Sequence, residues 1–196
     1  MTDRAAAIPA LAEAFREHGF EGASLAQLCE ATGLGKGSLY NFFPGGKEEM
    51  AAAVLADVDT WFTVHIFQPL RGAPAGEAAA IDDMLDAVTD YFRSGQRICL
   101  QGAFALGRER DMFAARIQGY FEQWFTTLAE ALRALGRDEP EARAAALEVI
   151  VAVQGAIVLS RALGQPAIFN QTIDRQRARL RTPIPAEDAD PEHGLT

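Results

Sequence analysis

The residues with the clearest chemical potential lie at 36–41, which read KGSLYN. Lys36 can pair with a phosphate or with guanine, and Asn41 suits the edge of adenine. Ser38 can bond a base edge and Tyr40 a phosphate, while Gly37 lets the backbone approach a wall of phosphates. These residue types at this spacing predict contact with a nucleic acid duplex.

Two short helices joined by a tight turn would place these side chains on one surface. Ser24 is predicted to cap the first helix, because its hydroxyl can accept from free amides at the helix start. Gly33 follows that helix, where a left-handed residue is needed and glycine adopts it without steric cost. The apolar residues that would pack the two helices together are Leu28, Leu34, Leu39 and Phe42. Residues 24–43 therefore predict a helix-turn-helix motif.

The next helix is predicted to begin near Lys47, after the sequence PGG at 44–46. The positive end of its dipole would add to the charge of Lys47 beside a phosphate. The full set of predicted DNA-binding residues is Ser24, Lys36, Gly37, Ser38, Leu39, Tyr40, Asn41 and Lys47.

The stretch FREHGFEGASLAQLCEATGLGKGSLYNFFPGGKEEM at 15–50 resembles the DNA-binding signature of the tetracycline-repressor (TetR) family. The double glycine of PGGKEEM, together with CLQGAFALGRERD at 99–111, is similar to a branch of regulators of multidrug and lincomycin resistance. The resemblance implies a homodimer on a near-palindromic operator and a C-terminal domain that binds a small molecule and releases DNA. It favours repression over activation. Gly35 stands where the family usually has serine, and Asn41 where histidine or tyrosine is commoner, which bears on the operator sequence.

Other interpretations of the same segment fit less well. Two plain surface helices would favour Glu, Lys and Ala over the glycine, tyrosine and asparagine found here. A phosphate-binding loop over GLGKGS needs a glycine where Glu30 stands and a Ser or Thr where Gly37 stands. A dinucleotide fingerprint needs a third glycine where Ser38 stands, and a preceding strand.

Every periodic segment of the chain has helical spacing, so the sequence predicts an all-α fold of about nine helices. The first helix is predicted over 7–18 with Pro9 in its first turn, and the clearest internal loop over 69–76. Residues 1–48 form the predicted DNA-binding domain, and 49–181 a domain for ligand binding and dimerisation. Residues 182–196 are proline-rich and acidic, which predicts a disordered tail.

Aromatic side chains are frequent after residue 60, and a helical domain can close around a small apolar or aromatic ligand. The predicted ligand-binding residues are Trp61, Phe62, His65, Phe104, Phe121 and Trp124. Polar contacts would come from His65, Gln101 or Gln123. Taken residue by residue, aromatics at helical spacing are more often core than pocket, and the family resemblance is what favours a pocket.

The helix predicted over 141–163 is apolar on more than one face. A helix that cannot hide such a surface within a small domain should hide it against a second chain. With the helix predicted over 167–180, it forms the predicted two-fold dimer interface. Burial of this helix within one subunit is the alternative. Paired recognition helices must reach major grooves about one turn apart, roughly 34–36 Å, which favours the dimer.

The overall composition bounds the function classes. A net charge of −9 opposes general affinity for nucleic acid, so a few well-placed cations must carry the binding. Two distant cysteines, Cys29 and Cys99, fit a reduced, cytoplasmic location. No signal peptide is evident, and the longest apolar run, at 149–159, is shorter than the ~20 residues of a membrane span, so no membrane partner is predicted.

Catalytic chemistry has little support in the sequence. The three histidines are scattered, and no Ser/His/Asp, Cys/His or HExxH grouping is present. No enzyme activity, cofactor or metal is predicted. A helical small-molecule carrier or enzyme without DNA binding is the main alternative, and a protein adaptor is the second. In the favoured hypothesis, the helix from Lys47 is a lever whose start touches DNA and whose far end, near Trp61 to His65, touches the ligand.

Overall fold

The computed structural model describes residues 3–74 and 78–181, and within them every regular element is helical. The helices are α1 (Arg4–Gly22), α2 (Leu25–Thr32), α3 (Lys36–Phe42), α4 (Gly46–Phe62, continued by a π-helical turn Thr63–Phe67 and by Gln68–Gly72), α5 (Ala79–Tyr91), α6 (Leu100–Leu106), α7 (Ala114–Ala134), α8 (Glu139–Leu163) and α9 (Pro166–Arg181). A short 3-10 turn, Arg108–Arg110, precedes α7. The all-α prediction is confirmed. The predicted tail at 182–196 lies outside the described residues.

The start of α1 differs from the prediction. The helix begins at Arg4, a turn earlier than expected, because the Asp3 side chain accepts a hydrogen bond from the Ala6 amide at 2.8 Å and caps it. Pro9 therefore lies inside the helix rather than in its first turn. Near its other end the helix is kinked at Gly19, whose φ of 69° only glycine adopts freely.

The predicted loop at 69–76 is also wrong in its first part, and residues 75 and 76 lie outside the described residues. The helix α4 continues through the π-helical turn Thr63–Phe67 to Gly72. Pro69 falls in the first turn of the final segment, where the amide that proline lacks is least needed. Phe67 and Leu70 are thereby buried against the core.

The helices α8 and α9 pack against each other and, through α7, on the centre of the C-terminal region. Asp138 caps α8 by accepting from the Glu141 amide at 2.8 Å, and Gly164 ends it with a φ of 64°. The buried side of α8 carries Val149, Val153 and Ile157. Its opposite side exposes large apolar residues: Leu147, Val151, Val158, Leu159 and Leu163.

Two helical stretches, Gly46–Gly72 and Glu139–Leu163, are long and apolar enough to cross a membrane by length and composition alone. In each, 44% of the apolar window is buried inside the protein. Core helices of soluble proteins share this property, so hydropathy does not separate the two environments here.

Candidate functional site

The turn between α2 and α3 is built from local signals. The Ser24 hydroxyl accepts from the Gln27 amide at 3.3 Å, and the Gln27 side-chain oxygen accepts from the Ser24 amide at 2.8 Å, which closes a capping box. Gly33 ends α2 in the left-handed conformation with a φ of 66°, as predicted. Leu28 and Leu39 are fully buried between the helices. The turn therefore holds α3 in a fixed orientation.

The outward side of α3 is polar and open to solvent. Its exposed residues are Lys36, Gly37, Ser38, Tyr40 and Asn41. Leu39 was predicted to contact DNA together with these residues, but its side chain is 0% exposed. It points into the core and cannot reach a duplex. Its role is to anchor α3 by packing against α2 and the core.

Two other predicted DNA-binding residues have structural partners. Ser24 is exposed, but its hydroxyl is engaged in the cap of α2. The Lys47 ammonium lies 4.7 Å from the centre of the Phe20 ring and donates to the Glu21 carbonyl at 3.4 Å. Lys47 thus stands beside the end of α1, half-buried, at the start of α4.

The double-glycine turn positions Tyr40. Gly46 has a φ of 68°, and a Cβ there would lie 3.7 Å from a ring carbon of Tyr40. The Gly45 amide donates to Glu49 at 2.8 Å. This turn sets α4 off from α3 and leaves the Tyr40 ring beside the start of α4.

Arg4 also lies beside this surface, although the sequence did not single it out. Its guanidinium lies 5.0 Å from the centre of the Phe43 ring, directly after α3, and donates to Glu49 at 3.0 Å. The sequence feature that could have indicated this is a basic residue in the first turn of α1. Its position next to α3 depends on how α1 packs on α4, which the local pattern does not contain.

Of the six predicted ligand-binding residues, Trp61, Phe62, His65 and Trp124 form one connected cluster of rings, in which Trp61 lies 5.4 Å from Phe62. Phe62 and Trp124 are fully buried, with ring centres 5.3 Å apart. Trp61 stacks on His65 at 4.4 Å, and His65 is exposed at the surface of α4. Phe104 packs instead on α1, 6.2 Å from Phe15.

Phe121, the sixth, is half-buried and lines a groove on another side of the domain. Phe104 and Phe121 therefore lie apart from the other four residues, and a ligand site at these six residues stays a prediction. Aromatic rings at helical spacing gain most by packing edge to face on one another, and here they fill the core that way.

An open cleft of about 970 Å³ lies between α4 and α7. Asp59 is one of the charged residues that line it and accepts from Arg116 and from Gln101, each at 2.7 Å. Burial raises the pKa of Asp59, although the hydrogen bonds from Arg116 and Gln101 oppose this. Tyr120 and Phe113 supply an aromatic wall. The cleft combines apolar surface with a few fixed polar groups.

The N-terminal helices are tied to the C-terminal region by a buried arginine. Arg16 is only 8% exposed, and its guanidinium donates to the Ile98 carbonyl at 3.2 Å, to Glu13 at 2.9 Å and to the Tyr91 hydroxyl at 3.4 Å. Burial lowers the pKa of Arg16, with the nearby Tyr91 and Glu13 opposing. Phe104 adds an apolar contact to the same helix.

Within residues 3–74 and 78–181, no group of three or more His, Cys, Asp or Glu side chains is placed to hold a metal ion. The two cysteines are unpaired, and burial raises the pKa of the Cys99 thiol. Cys99 precedes α6 and its sulfur accepts from the Gly102 amide at 3.4 Å. Its position fits a helix cap rather than a nucleophile.

Two family models match the chain. Residues 8–54 match the bacterial regulatory proteins of the tetR family, and residues 78–175 match the C-terminal domain of LmrA/YxaF-like transcriptional regulators. The HTH-type transcriptional regulator LmrA of Bacillus subtilis is 28% identical over 151 residues, which cover 74% of this chain and 79% of LmrA. The uncharacterized HTH-type transcriptional regulator YxaF of Bacillus subtilis is 25% identical over 150 residues, covering 74% of this chain and 78% of YxaF.

Solved structures share the fold. The regulatory protein TetR from Rhodobacter sphaeroides superposes with a TM-score of 0.77 at 21% identity, covering 91% of this chain and 98% of that one. A cysteine mutant of the TetR family regulator CifR, solved with 26-bp double-strand operator DNA, superposes with a TM-score of 0.73 at 24% identity, covering 90% and 96%.

Proposed function

This chain belongs to the TetR family of bacterial transcription regulators and is a DNA-binding regulator, and we propose that it is a repressor released from its operator by a small molecule. In this proposal it acts in the cytoplasm, on DNA rather than at a membrane, and without catalysis. Its relatives are transcriptional regulators, which supports the last point. Residues 1–48 would bind DNA, and residues 49–181 would bind the ligand and the second subunit.

The single observation that carries the proposal is the outward side of α3. Lys36, Ser38 and Asn41 are exposed on a helix whose inner side is anchored by the fully buried Leu39. A short helix held rigidly with its polar side free is what entry into a major groove requires. Tyr40 and Lys47 stand at the flanks, where the phosphate backbone would lie.

A dimer would present two such helices. Regulators of this family bind operator DNA as dimers. The helix α8 exposes a hydrophobic patch, whose burial against a second chain would be favourable. It includes Leu147, Val151 and Leu159. We place the two-fold interface on this side of α8 together with α9, which would make the operator near-palindromic.

We place the ligand in the cleft between α4 and α7. Gly45, Ala52 and Asp59 lie along its α4 side, so a ligand there would press on the helix that begins beside α3. Phe113 and Tyr120 would contact the apolar or aromatic body of the ligand, and Asp59 or Gln123 would bond its polar groups. A coupling of about 1–3 kcal/mol between the sites would change operator affinity roughly 5- to 150-fold.

Binding to DNA from beside its own coding region tests the proposal. Fluorescence anisotropy should detect salt-dependent binding, which Lys36→Ala and Tyr40→Ala weaken. Arg133→Ala is the matched control, because Arg133 is an exposed cation on α7, in the C-terminal region. Binding that is absent, or equally weak in all three variants, would favour a helical carrier, enzyme or adaptor without DNA binding.

The lever is tested separately with spin labels on α3 of both subunits. A released state should show a longer distance between the two labels than the DNA-competent state. An inducer that speeds dissociation while this distance stays fixed would contradict the lever.

A further inference from the structure

A second cavity lies where α1 meets the C-terminal region, apart from the α4–α7 cleft. Its volume is about 220 Å³, and its lining comes from α1, from the turn between α5 and α6, and from the last turn of α8. Most of the lining residues are charged, and the full set is Glu13, Arg16, Glu17, Arg93, Gln96, Arg97, Ile98 and Arg161. We call this cavity the arginine pocket. All of its residues lie outside α2 and α3, so it is separate from the proposed DNA-binding surface.

The arginine pocket concentrates positive charge in an acidic protein. The chain has a net charge of −9 and 18 Lys and Arg residues, and four of these line this one small cavity. Only two glutamates line it with them, which leaves an excess of two positive charges. Positive charges held close together repel each other, and an anion placed among them removes the repulsion.

The glutamates of the pocket do not satisfy all of its arginines. Glu13 is shared, because it accepts from Arg16 at 2.9 Å and from Arg97 at 3.2 Å. The Nε atom of Arg97 is buried and has no hydrogen-bond partner among the described residues. A buried donor without an acceptor is unfavourable. An oxygen atom of a ligand beside Arg97 would remove this cost.

Two further arginines of the pocket have donors to spare. Arg93 is exposed, and within residues 3–74 and 78–181 its side chain makes no hydrogen bond or ion pair. Arg161 uses one nitrogen, Nη1, to donate to the Gln96 carbonyl. A guanidinium presents five N–H donors in a planar fork that matches the oxygens of a carboxylate or a phosphate. The free donors of Arg93 and Arg161 therefore favour an anion with several oxygens.

The turn between α5 and α6 holds its arginines with a strained backbone. Arg93 and Ser94 have φ values of 49° and 51°, in the left-handed region that is costly for residues other than glycine. Gly95 follows with a φ of 81°, and a Cβ there would lie 2.9 Å from the Phe169 Cβ, so the turn packs closely on α9. Strain of this kind is concentrated at functional sites. Here it places Arg93 and Arg97 on the same cavity.

We propose that the arginine pocket binds a compact dianion, one that carries a phosphate group or two carboxylates. Pockets for drug-sized ligands have volumes of roughly 300–1,000 Å³, so a cavity of about 220 Å³ suits a smaller molecule. Arginine forks bind both kinds of anion through paired, charge-assisted hydrogen bonds. This site is distinct from the α4–α7 cleft and does not depend on the proposed release by a small molecule there.

A bound dianion would join three segments of the fold. Arg16 belongs to α1, Arg93 and Arg97 to the turn before α6, and Arg161 to α8. An anion that accepts from Arg93 and Arg161 beside the charge of Arg16 would bridge the DNA-binding helices and the C-terminal region. Since it binds the folded chain, it should also raise the thermal stability.

Titration calorimetry of the full-length chain at constant ionic strength tests the proposal, with inorganic phosphate and malonate as separate probes. Arg93→Gln and Arg161→Gln should each weaken binding about tenfold or more, because charge-assisted hydrogen bonds are lost. Arg133→Gln is the matched control, since Arg133 is an exposed arginine of α7 outside the pocket, and it should leave binding unchanged. Circular dichroism verifies that each variant is folded.

The two probes distinguish the sources of the dianion. Saturable binding of both supports a site for either class. Binding of phosphate alone assigns a phosphate-bearing ligand, and binding of malonate alone assigns a dicarboxylate. Absence of saturable binding with both probes, or equal weakening in Arg93→Gln, Arg161→Gln and Arg133→Gln, overturns the proposal.

Glu17→Gln tests the same site in the opposite direction. Glu17 is exposed and lines the pocket, so its charge opposes a bound anion. Its removal should tighten binding of the probe about two- to fivefold. A gain in affinity cannot come from damage to the fold. Unchanged or weaker binding in Glu17→Gln would contradict the proposed site.

Thermal unfolding with and without phosphate tests the bridge between the segments. Phosphate should raise the unfolding temperature of the wild type more than that of the double variant Arg93→Gln/Arg161→Gln. Phosphate also stabilises proteins in general, because it is excluded from their surfaces. An equal rise in the wild type and the double variant would therefore be this general effect, and it would overturn the bridge.

Discussion

The helix-turn-helix and the aromatic interior of the C-terminal region differ in how their predicted site residues are placed. On α3, polar residues close together in sequence stay together on one exposed side. In the C-terminal region, the six predicted residues are spread over 64 positions. Trp61, Phe62, His65 and Trp124 form one cluster, Phe104 contacts α1, and Phe121 lines a groove. The residues predicted for one ligand site are therefore only partly brought together.

The difference lies in what determines each arrangement. One short helix fixes the relative positions of Lys36, Ser38 and Asn41 without help from the rest of the chain. The six predicted residues come from three helices, α4, α6 and α7, and packing decides which of them meet. Local spacing is enough to predict the arrangement on α3, but it does not predict which aromatic residues of the C-terminal region meet.

Phe62→Ala should have the largest effect, a loss of about 3–5 kcal/mol in the free energy of unfolding. Phe62 is fully buried and its ring contacts Tyr91, Tyr120 and Trp124. Urea unfolding measures the loss, and His65→Ala, at an exposed site, is the control with little change. If Phe62→Ala left stability intact and altered only ligand response, Phe62 would be a pocket residue after all.

Leu39→Ala should cost about 2–5 kcal/mol of stability in the N-terminal helices and abolish operator binding with it. Thermal unfolding and operator anisotropy measure both effects, and Ser38→Ala, on the exposed side of the same helix, should leave the unfolding temperature unchanged. Loss of DNA binding by Leu39→Ala with an unchanged melting curve would return Leu39 to the DNA-contacting residues.

Asn41→Ala should relax base preference at one position of each half-site, by about 1–3 kcal/mol for adenine over other bases. Binding to a set of operator variants measures this preference. Lys47→Ala is the contrast, since Lys47 stands at the flank in the proposed complex, and loss of a phosphate contact weakens all sequences alike and reduces the salt dependence. A uniform loss in Asn41→Ala would assign Asn41 to the backbone instead.

Ser24→Ala should cost about 1 kcal/mol of stability, because the capping box of α2 is lost. Ser24→Asn retains a capping side chain and should behave like the wild type in unfolding. Where Ser24→Asn keeps stability but weakens DNA binding, the hydroxyl has a role on the duplex as well as in the cap.

The smallest expected effect is on the dependence of stability on pH, in the acid range. Although partial burial opposes it, hydrogen bonds and charge from Arg181 and Arg177 lower the pKa of Asp82, which holds α9 on α5. A carboxyl with a lowered pKa stabilises the fold above its ordinary value of about 3.9 and loses this as the pH falls through the folded value. Asp82→Asn should therefore be less stable than wild type near neutral pH, and the gap in urea midpoints should close in acid. A gap that widens in acid would contradict this.

Much of the fold is encoded by local signals. The bounds of α8 follow from Asp138 at one end and Gly164 at the other, which are capping residues with short-range effects. Asp3 is also a capping residue, but the sequence analysis did not predict the start of α1 at Arg4. Placing Pro9 in the first turn of the helix set the predicted start too late. The extension of α4 past Pro69 needed a π-helical turn that no residue pattern marks.

The candidate site divides in the same way. The exposed residues of α3 were predictable because small and polar side chains on a short helix have no place in the core. The α4–α7 cleft was not predictable, since Asp59 and Arg116 are far apart in sequence and meet only through packing. Arg4 was missed for the same reason.

The contacts of α1 limit how this protein can be taken apart. A fragment cut at residue 48 would divide α4 and leave Phe15, Phe20 and Arg16 without their partners on α6, Ile98 and α5. Transplanting these first helices onto another regulator would require a recipient whose own sixth helix offers a ring at the place of Phe104 and a free carbonyl at the place of Ile98. Chimaeras that lack these contacts between α1 and the C-terminal region would bind DNA without responding to the ligand, or would not fold.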